Sequence, residues 1–227
     1  MEFQNFDFQS IILTIELACT TVVILLIVGI PISWWLAHTK SPLRPLIEAI
    51  VALPLVLPPT VLGFYLLIVL GPNGWLGKPF MELTGSPLSF TFSGIVIAST
   101  LYSLPFVVQP LHTKFESIGI NPLEAAYTLG ASKLDAFCTV ATPLALRGYI
   151  TAIVLGFTHT LGEFGVVLMV GGSIPGKTKV ISIEIYDRVE IMEYNQAHIL
   201  SSGLLVFSFI VLLIVYSVNR RLPTHIS

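Results

Sequence analysis

The chain has 227 residues, of which 54% are hydrophobic and only 11% are charged. Soluble domains carry about 25% charged residues, so most of this surface cannot face water. The formal net charge of −2 and the lack of a basic stripe argue against a nucleic-acid partner. Composition therefore predicts an all-α integral membrane protein in a lipid bilayer.

Apolar runs long enough to cross a bilayer recur five times, since about 20 residues suffice at a rise of 1.5 Å each. The predicted spans cover residues 11–36, 46–70, 92–111, 144–170 and 197–218. A Gly/Pro-rich loop follows the second span, and a short helix is predicted in the acidic loop before the fifth. The whole chain, 1–227, is interpreted as a single transmembrane domain.

The second predicted span contains Pro54, Pro58 and Pro59, and the last is followed by Thr60. Each proline removes a backbone donor and frees a carbonyl, which in lipid needs a neighbouring helix or a cavity. A broken helix at membrane depth points to a transport pathway, although a structural kink explains the prolines equally well. Pro58, Pro59 and Thr60 are therefore candidate pathway residues.

Lysine and arginine positions orient the spans, because cytoplasmic loops carry an excess of both. Seven basic residues fall on one predicted side of the membrane and four on the other. The larger group comprises Lys40, Arg44, Lys114, Lys133, Arg147, Arg220 and Arg221, and the smaller comprises Lys78, Lys177, Lys179 and Arg188. This bias predicts an N-terminus outside and a C-terminus inside.

The longest polar stretch, residues 113–143, is then cytoplasmic. Within it, Asn121 is a predicted helix cap, with Pro122 at the first helical position and Glu124 three residues after the cap. Gly130 is the predicted end of this short helix, because glycine accepts the left-handed turn at a C-terminus.

Ser132 is predicted to cap a second helix in the same stretch. The small pair Ala125 and Ala126 would let another backbone approach closely. Leu123, Tyr127 and Leu134 offer apolar contact. These residues indicate a surface that contacts a partner, although an ordinary cytoplasmic surface helix fits the same pattern.

The order Glu124-Ala125-Ala126, Gly130 and a closing Thr142-Pro143 resembles the EAA loop of ABC importer permeases. That family usually has leucine where this chain has Thr142. The resemblance implies that residues 121–143, here called the EAA segment, dock into a groove on a cytoplasmic ATPase subunit. The predicted ATPase-coupling residues are Leu123, Glu124, Ala125, Ala126, Tyr127 and Gly130.

Other stretches narrow the resemblance within that family. LPLVLPPTVLG at 53–63 and LGPNGWLG at 70–77 resemble the molybdate-type permeases, whereas LGEFG at 161–165 and GSIPGKT at 172–178 are typical of the joint molybdate and sulfate group. The resemblance implies a permease for molybdate or a similar tetrahedral oxyanion such as tungstate. A sulfate or thiosulfate permease is the alternative.

The same resemblance implies the assembly and its place in the cell. It implies a homodimer of this chain in the bacterial inner membrane, two cytoplasmic ABC ATPase subunits and an extracytoplasmic oxyanion-binding protein. The chain would be a transport subunit and not an enzyme. It would bind no cofactor itself, because ATP-Mg would be held by the partner ATPase.

Residues 171–178, GGSIPGKT, also fit the phosphate-binding pattern GxxxxGK[ST]. That loop needs a strand before it and a helix after it. Here an apolar predicted span precedes the pattern, and the predicted orientation places it outside the cell. We therefore expect no nucleotide binding at this loop.

His159 and Glu163 are an ionisable pair four residues apart inside the fourth predicted span, a spacing that places them on one helical face. At a rise of 1.5 Å per residue, Glu163 would lie about 28 Å along the span, near the outer surface. This position indicates a structural or gating role at the outer mouth. The pair also permits a proton-coupled secondary transporter, although the inverted repeats usual in that class are not evident.

Overall fold

The computed structural model describes the backbone of residues 8–221 and the side chains of residues 8–217. The described residues form helices and no strands, which confirms the all-α prediction. The helices are α1 (Phe8–His38), α2 (Arg44–Val56), α3 (Pro59–Leu70), α4 (Gly77–Thr84), α5 (Phe92–Ile118), α6 (Asn121–Thr128), α7 (Lys133–Ala136), α8 (Thr142–Leu144), α9 (Leu146–Leu161), α10 (Gly165–Gly171), α11 (Ile181–Glu190) and α12 (Tyr194–Arg221). A π-helical turn, Phe137–Ala141, separates α7 from α8.

Three helices, α1, α5 and α9, pack together as the centre of the bundle. Small residues let them approach closely: a Cβ added at Gly29 of α1 would lie 3.1 Å from the Val107 side chain of α5, and one at Gly156 of α9 would lie 2.8 Å from it. The Ser33 hydroxyl of α1 also donates to the Val108 carbonyl of α5 at 3.1 Å. Close packing around small side chains is what holds helices together in lipid, where burial of apolar surface adds little.

Helix α5 is longer than the predicted third span. It runs without a break through Pro105 and Pro110 and ends at Ile118. The expectation that residues 113–143 form one polar segment is therefore wrong at its start, because Phe115 continues the buried face of α5 and is only 1% exposed.

The second predicted span is broken, as its prolines indicated. Helices α2 and α3 meet at a bend of 113° around Leu57 and Pro58. Pro54 lies buried inside α2 and does not end it. Helix α2 packs against α5, where Val51 and Val108 share a small core with Leu36 of α1.

The fourth predicted span, 144–170, is not one helix. Helix α9 ends at Leu161, residues 162–164 are not helical, and α10 then runs to Gly171. At its other end, the stretch Lys133–Leu144 meets Leu146–Leu161 at a bend of 73°. Gly162 and Gly165 lie at the break between α9 and α10 and favour it, because glycine is a weak helix former.

Helices α1, α5 and α12 are long and apolar enough to cross a membrane, and five spans result if each bent pair counts as one. Only 6% of the apolar window of α12 is buried, so nearly all of this helix is available to lipid or to another chain. The chain ends 1–7 and 222–227, for which the charge bias predicts opposite sides of the membrane, lie outside the described residues.

Candidate functional site

The first helix of the EAA segment begins one residue earlier than predicted. Ile120 occupies the N-cap position, and its carbonyl accepts from the backbone N–H groups of Leu123 and Glu124, both at 3.0 Å. No side chain caps the helix, so the capping box predicted for Asn121 is wrong. The short turn at Gly119 (φ 68°) leads directly from α5 into this helix and leaves Asn121 inside it.

Gly130 ends α6 in the predicted way. Its φ is 90°, in the left-handed region, and its N–H donates to the Tyr127 carbonyl at 3.0 Å while the Ala131 N–H donates to the Ala126 carbonyl at 3.0 Å. This pair of bonds is the Schellman motif that glycine favours. Ser132 then caps α7 by accepting from the Asp135 N–H at 3.2 Å, which confirms the second predicted cap.

The predicted coupling residues divide between surface and interior. Glu124, Ala125 and Gly130 are exposed, Tyr127 is 38% exposed, and Ala126 is half-buried. Leu123 is only 2% exposed, because it packs inside the segment. The expectation that Leu123 offers contact to a partner is therefore wrong.

One apolar side chain on this surface was not predicted from the sequence. Leu129 is 89% exposed and lies directly before Gly130. Leu134, which was expected to offer apolar contact, is 73% exposed on the other side of the turn. The position of Leu129 beside a helix-ending glycine is the signal that could have identified it. An apolar surface of this kind, rimmed by polar residues, is typical of a protein contact.

The candidate pathway residues meet where the two helix breaks come together. A Cβ added at Gly165, the first residue of α10, would lie 2.9 Å from the Cβ of Pro59, the first residue of α3. One turn further on, a Cβ at Gly63 would lie 2.7 Å from the Cβ of Met169. Pro58, Pro59 and Thr60 are all exposed in this chain.

The Pro58 carbonyl is not free to face a pathway. It accepts from the backbone N–H groups of Val61 at 2.9 Å and Leu62 at 3.2 Å, which begins α3. The hydroxyl of Thr60 and the apolar rings of the prolines are what this bend exposes.

Glu163 lies in the break between α9 and α10 and is 4% exposed. Neither carboxyl oxygen has a hydrogen-bond partner among the described residues, and the Ser99 hydroxyl of α5 faces it outside hydrogen-bonding geometry. Its backbone carbonyl accepts from the Ser182 hydroxyl of α11 at 2.6 Å. Burial of an unpaired carboxyl is costly and marks the break as a special feature of the fold.

Glu163 is buried among the helices, beside α5. Ser99, which faces it, lies about 10 Å along α5 from Phe92, at 1.5 Å per residue. The position of Glu163 near the outer side of the membrane stays a prediction.

His159 packs against α5 and not against Glu163. Its Nδ1 shares a 2.8 Å hydrogen bond with the Ser103 hydroxyl, and its ring stacks on Phe106 with centroids 3.9 Å apart. Helix α9 ends between the two residues, and no hydrogen bond joins their side chains. The expectation of a pair on one helical face is therefore wrong.

Several backbone groups of the loop 171–178 are hydrogen-bonded within its own turn. The N–H groups of Lys177, Thr178 and Lys179 all donate to the Ile174 carbonyl, and the Thr178 hydroxyl donates to the Gly171 carbonyl at 2.7 Å. Helix α10 precedes the loop, where a phosphate-binding loop would follow a strand.

Helix α11 carries a buried ionic network that the sequence did not predict. Glu184 is 1% exposed and is contacted by Lys179 Nζ at 2.6 Å and by Arg188 Nε at 2.7 Å. Burial alone would raise the pKa of Glu184, but the hydrogen bonds from the two cations outweigh it and the pKa lies below its usual value. Two further ion pairs, Lys179 with Asp187 and Arg188 with Glu193, complete the network.

Residues 8–217 bring together no group of three or more His, Cys, Asp or Glu side chains that could hold a metal ion. The structure offers two other candidate sites. One is the surface of the EAA segment, and the other is the point where the break between α2 and α3 meets the break between α9 and α10. A surface for a partner and a pair of broken helices suit transport.

Residues 29–224 match the family described as "Binding-protein-dependent transport system inner membrane component". The chain belongs to this family. It is a multi-pass transport component of the inner membrane.

Relatives within the family point in the same direction. The chain is 57% identical over 227 residues, the whole of both chains, to the "Molybdenum transport system permease protein ModB" of Azotobacter vinelandii. It is 35% identical over 191 residues to the "Sulfate transport system permease protein CysT" of Salmonella typhimurium, a match that covers 84% of this chain and 68% of that one.

The fold of this family member is also that of a solved transporter. An inward-facing structure of the MetNI methionine ABC transporter contains a chain that superposes with a TM-score of 0.73 and covers 94% of both chains at 16% sequence identity. At this identity the likeness concerns the fold alone.

Proposed function

We propose that this chain is the membrane permease subunit of an ATP-driven ABC importer for molybdate or a closely similar oxyanion such as tungstate. The observation that carries the proposal is the 57% identity to a molybdenum permease over the full length of both chains. The chain moves the ion and carries no catalytic residues, while ATP-Mg binds to a separate ATPase.

The EAA segment is the proposed contact with that ATPase. Its exposed residues Glu124, Ala125, Tyr127 and Gly130, together with the unpredicted Leu129, lie close together along the chain. The Schellman turn and the Ser132 cap fix the shape of this surface, so a force applied to it moves the segment as a unit.

The proposed assembly is a homodimer with two ATPase subunits and an extracytoplasmic binding protein. The exposed apolar faces of α2, α3 and α12 supply surface for a second copy and for lipid. A pore at a two-fold axis would then be lined from both copies, with Pro58, Pro59 and Thr60 of each near the axis. Closure of the ATPase dimer would bias the permease between two conformations.

The substrate is tested by uptake into vesicles that contain this chain, its ATPase and its binding protein. We expect ATP-driven uptake of radiolabelled molybdate that unlabelled tungstate suppresses and unlabelled sulfate suppresses weakly. ATP-driven sulfate uptake without molybdate uptake would overturn the proposal that molybdate is the substrate. It would favour a sulfate permease, the alternative that the 35% identity to a sulfate permease supports. Molybdate uptake driven by a proton gradient alone would overturn the ABC mechanism.

Glu163 is proposed to act in the gate, because it is a buried carboxyl at the junction of two broken helices. Glu163→Gln keeps the volume of the side chain but removes its ability to ionise. We expect the variant to copurify with the ATPase and to take up molybdate about tenfold more slowly, the effect of ~1.4 kcal/mol on a barrier.

The matched control is Glu190→Gln, which changes an exposed carboxyl on α11 and should leave uptake at the wild-type rate. Wild-type uptake by the Glu163 variant would remove this residue from the gate.

A further inference from the structure

The EAA segment has a small core of its own, separate from that of the membrane bundle. Leu123, Ala136 and Ala141 are its fully buried members, all at 2% exposure or less. The bundle core on this side includes Leu111 and Phe115 of α5, and the two cores are distinct clusters. Movement of the segment therefore reaches the membrane helices through contacts between the core of the segment and the core of the bundle.

Two aromatic residues belong to both clusters. Trp34 of α1 and Phe137 of the π-helical turn pack against the core of the segment and also against the core of the bundle. Their rings meet edge to face with centroids 4.8 Å apart. Trp34 meets the buried Phe115 in the same way at 5.1 Å, and the rings of Phe115 and Phe137 lie 6.2 Å apart. The three rings therefore form one group that joins the segment to α5.

Trp34 and Phe115 are held firmly within the bundle. Trp34 lies near the end of α1, where its ring is 4.0 Å from that of His38 and its carbonyl is hydrogen-bonded to His38 Nδ1 at 2.9 Å. Phe115 is 1% exposed and also meets Tyr149 of α9 edge to face at 6.0 Å. Trp34 and Phe115, the rings that contact Phe137, are thus held by α1, α5 and α9, the central helices of the bundle.

The chain connections around the segment are bends, not rigid extensions. Gly119, with a φ of 68°, separates it from α5, and the chain turns by 73° where Leu144 meets Leu146. The π-helical turn that begins at Phe137 is itself of a kind found mainly at functional sites. A bent connection transmits movement of the segment poorly, so contacts between side chains have to transmit it to the membrane helices.

We propose that Phe137, seated against Trp34 and Phe115, transmits movement of the EAA segment into the membrane helices. This inference rests on the proposed function, since the movement is driven by the partner ATPase. Phe137 is a positioning residue, because it touches neither the ion nor the nucleotide. Packed cores switch between arrangements and do not deform continuously, so this group of rings couples the EAA segment to the membrane helices.

The test compares molybdate transported per ATP hydrolysed in vesicles that contain the full transporter. Phe137→Ala removes the ring that connects the clusters, and we expect copurification with the ATPase and ATP hydrolysis to persist while the ratio falls at least about fivefold, as for typical coupling between sites. Phe137→Tyr keeps the ring and should restore the ratio. Trp34→Ala should also lower the ratio, because it removes the ring of α1 that contacts Phe137.

Combining Trp34→Ala with Phe137→Ala should lower the ratio no further than Phe137→Ala alone, because removal of the Phe137 ring already removes its contacts with both Trp34 and Phe115. The matched control is Phe80→Ala, since Phe80 is also half-buried but packs in a cluster with Leu66 and Leu88, away from the segment. It should leave the ratio unchanged even if stability falls.

The outcomes separate the two proposals. Wild-type vesicles without ATP-driven uptake would overturn the proposed function, and this inference with it. Coupled wild-type transport together with an unchanged ratio in both Phe137→Ala and Trp34→Ala would overturn the transmission role alone. If Phe137→Ala does not assemble, an unchanged ratio in Trp34→Ala overturns the role and a lowered ratio supports it.

Discussion

At the scale of single residues, buried charge behaves in two ways in this protein. Glu184 on α11 is paired with Lys179 and Arg188, and these contacts offset the cost of burying its carboxylate. Glu163 is equally buried and lacks a cationic partner among the described residues. The ion pairs of Glu184 hold α11 against the loop that precedes it. The unpaired carboxyl of Glu163 lies at the break between α9 and α10.

The Glu184 network predicts a dependence of stability on pH. The folded pKa of Glu184 lies below its usual value of 4.5, so its stabilisation is fully present above that value and is lost as pH falls through the folded pKa. We expect Glu184→Gln to lower the apparent Tm in detergent by about 5 °C near neutrality, the effect of ~2 kcal/mol in a chain of this size. The variant should also lose part of the wild-type decline in Tm in acid.

Glu190→Gln, at an exposed position on the same helix, serves as the control and should leave the curve of Tm against pH unchanged. A Glu184→Gln curve that overlays the wild-type curve would show that the network contributes nothing to stability.

At the scale of elements, the EAA segment depends on the backbone at Gly130. Its φ of 90° is costly for a residue with a side chain, and a Cβ there would meet nothing within 4 Å. Any effect of substitution is therefore conformational and not a clash. Gly130→Val should distort the segment and abolish copurification with the ATPase or lower the molybdate transported per ATP, while the spans stay folded.

Gly130→Asn should be milder, because asparagine tolerates the left-handed region better than valine does. Gly203→Val is the control, since Gly203 on α12 also has open space around it but has an ordinary helical backbone. Fully coupled transport by the Gly130→Val variant would mean that the segment is only a surface loop.

At the scale of the whole molecule, orientation in the membrane stays a prediction from the charge bias. The chain offers a direct probe, because Cys138 is exposed on the EAA segment. Cys19, also exposed, lies about 16 Å into α1 at 1.5 Å per residue, within the apolar part of the span. A membrane-impermeant maleimide should label Cys138 in inside-out vesicles and not in right-side-out vesicles.

Cys138→Ser should abolish the labelling and so assign it to this residue. Labelling confined to right-side-out vesicles would reverse the predicted orientation and place the EAA segment outside the cell.

The sequence by itself determined the fold class and the short helices of the EAA segment. Each of these follows from local information: apolar length, proline and glycine positions, and a motif whose residues are close in the chain. Gly130 and Ser132 were correctly predicted because their roles depend only on neighbouring backbone groups. The prediction that Asn121 caps the first helix of the segment was wrong, because the end of α5 decides where the next helix begins.

Only the tertiary structure decided which residues meet. It placed Pro59 of α3 against Gly165 of α10, separated His159 from Glu163, and buried Leu123 while it exposed Leu129. It also brought Trp34 and Phe137, far apart in sequence, into one group of rings with Phe115. Such contacts depend on how whole helices pack, and helix packing is set by many small side chains acting together, which no local pattern records.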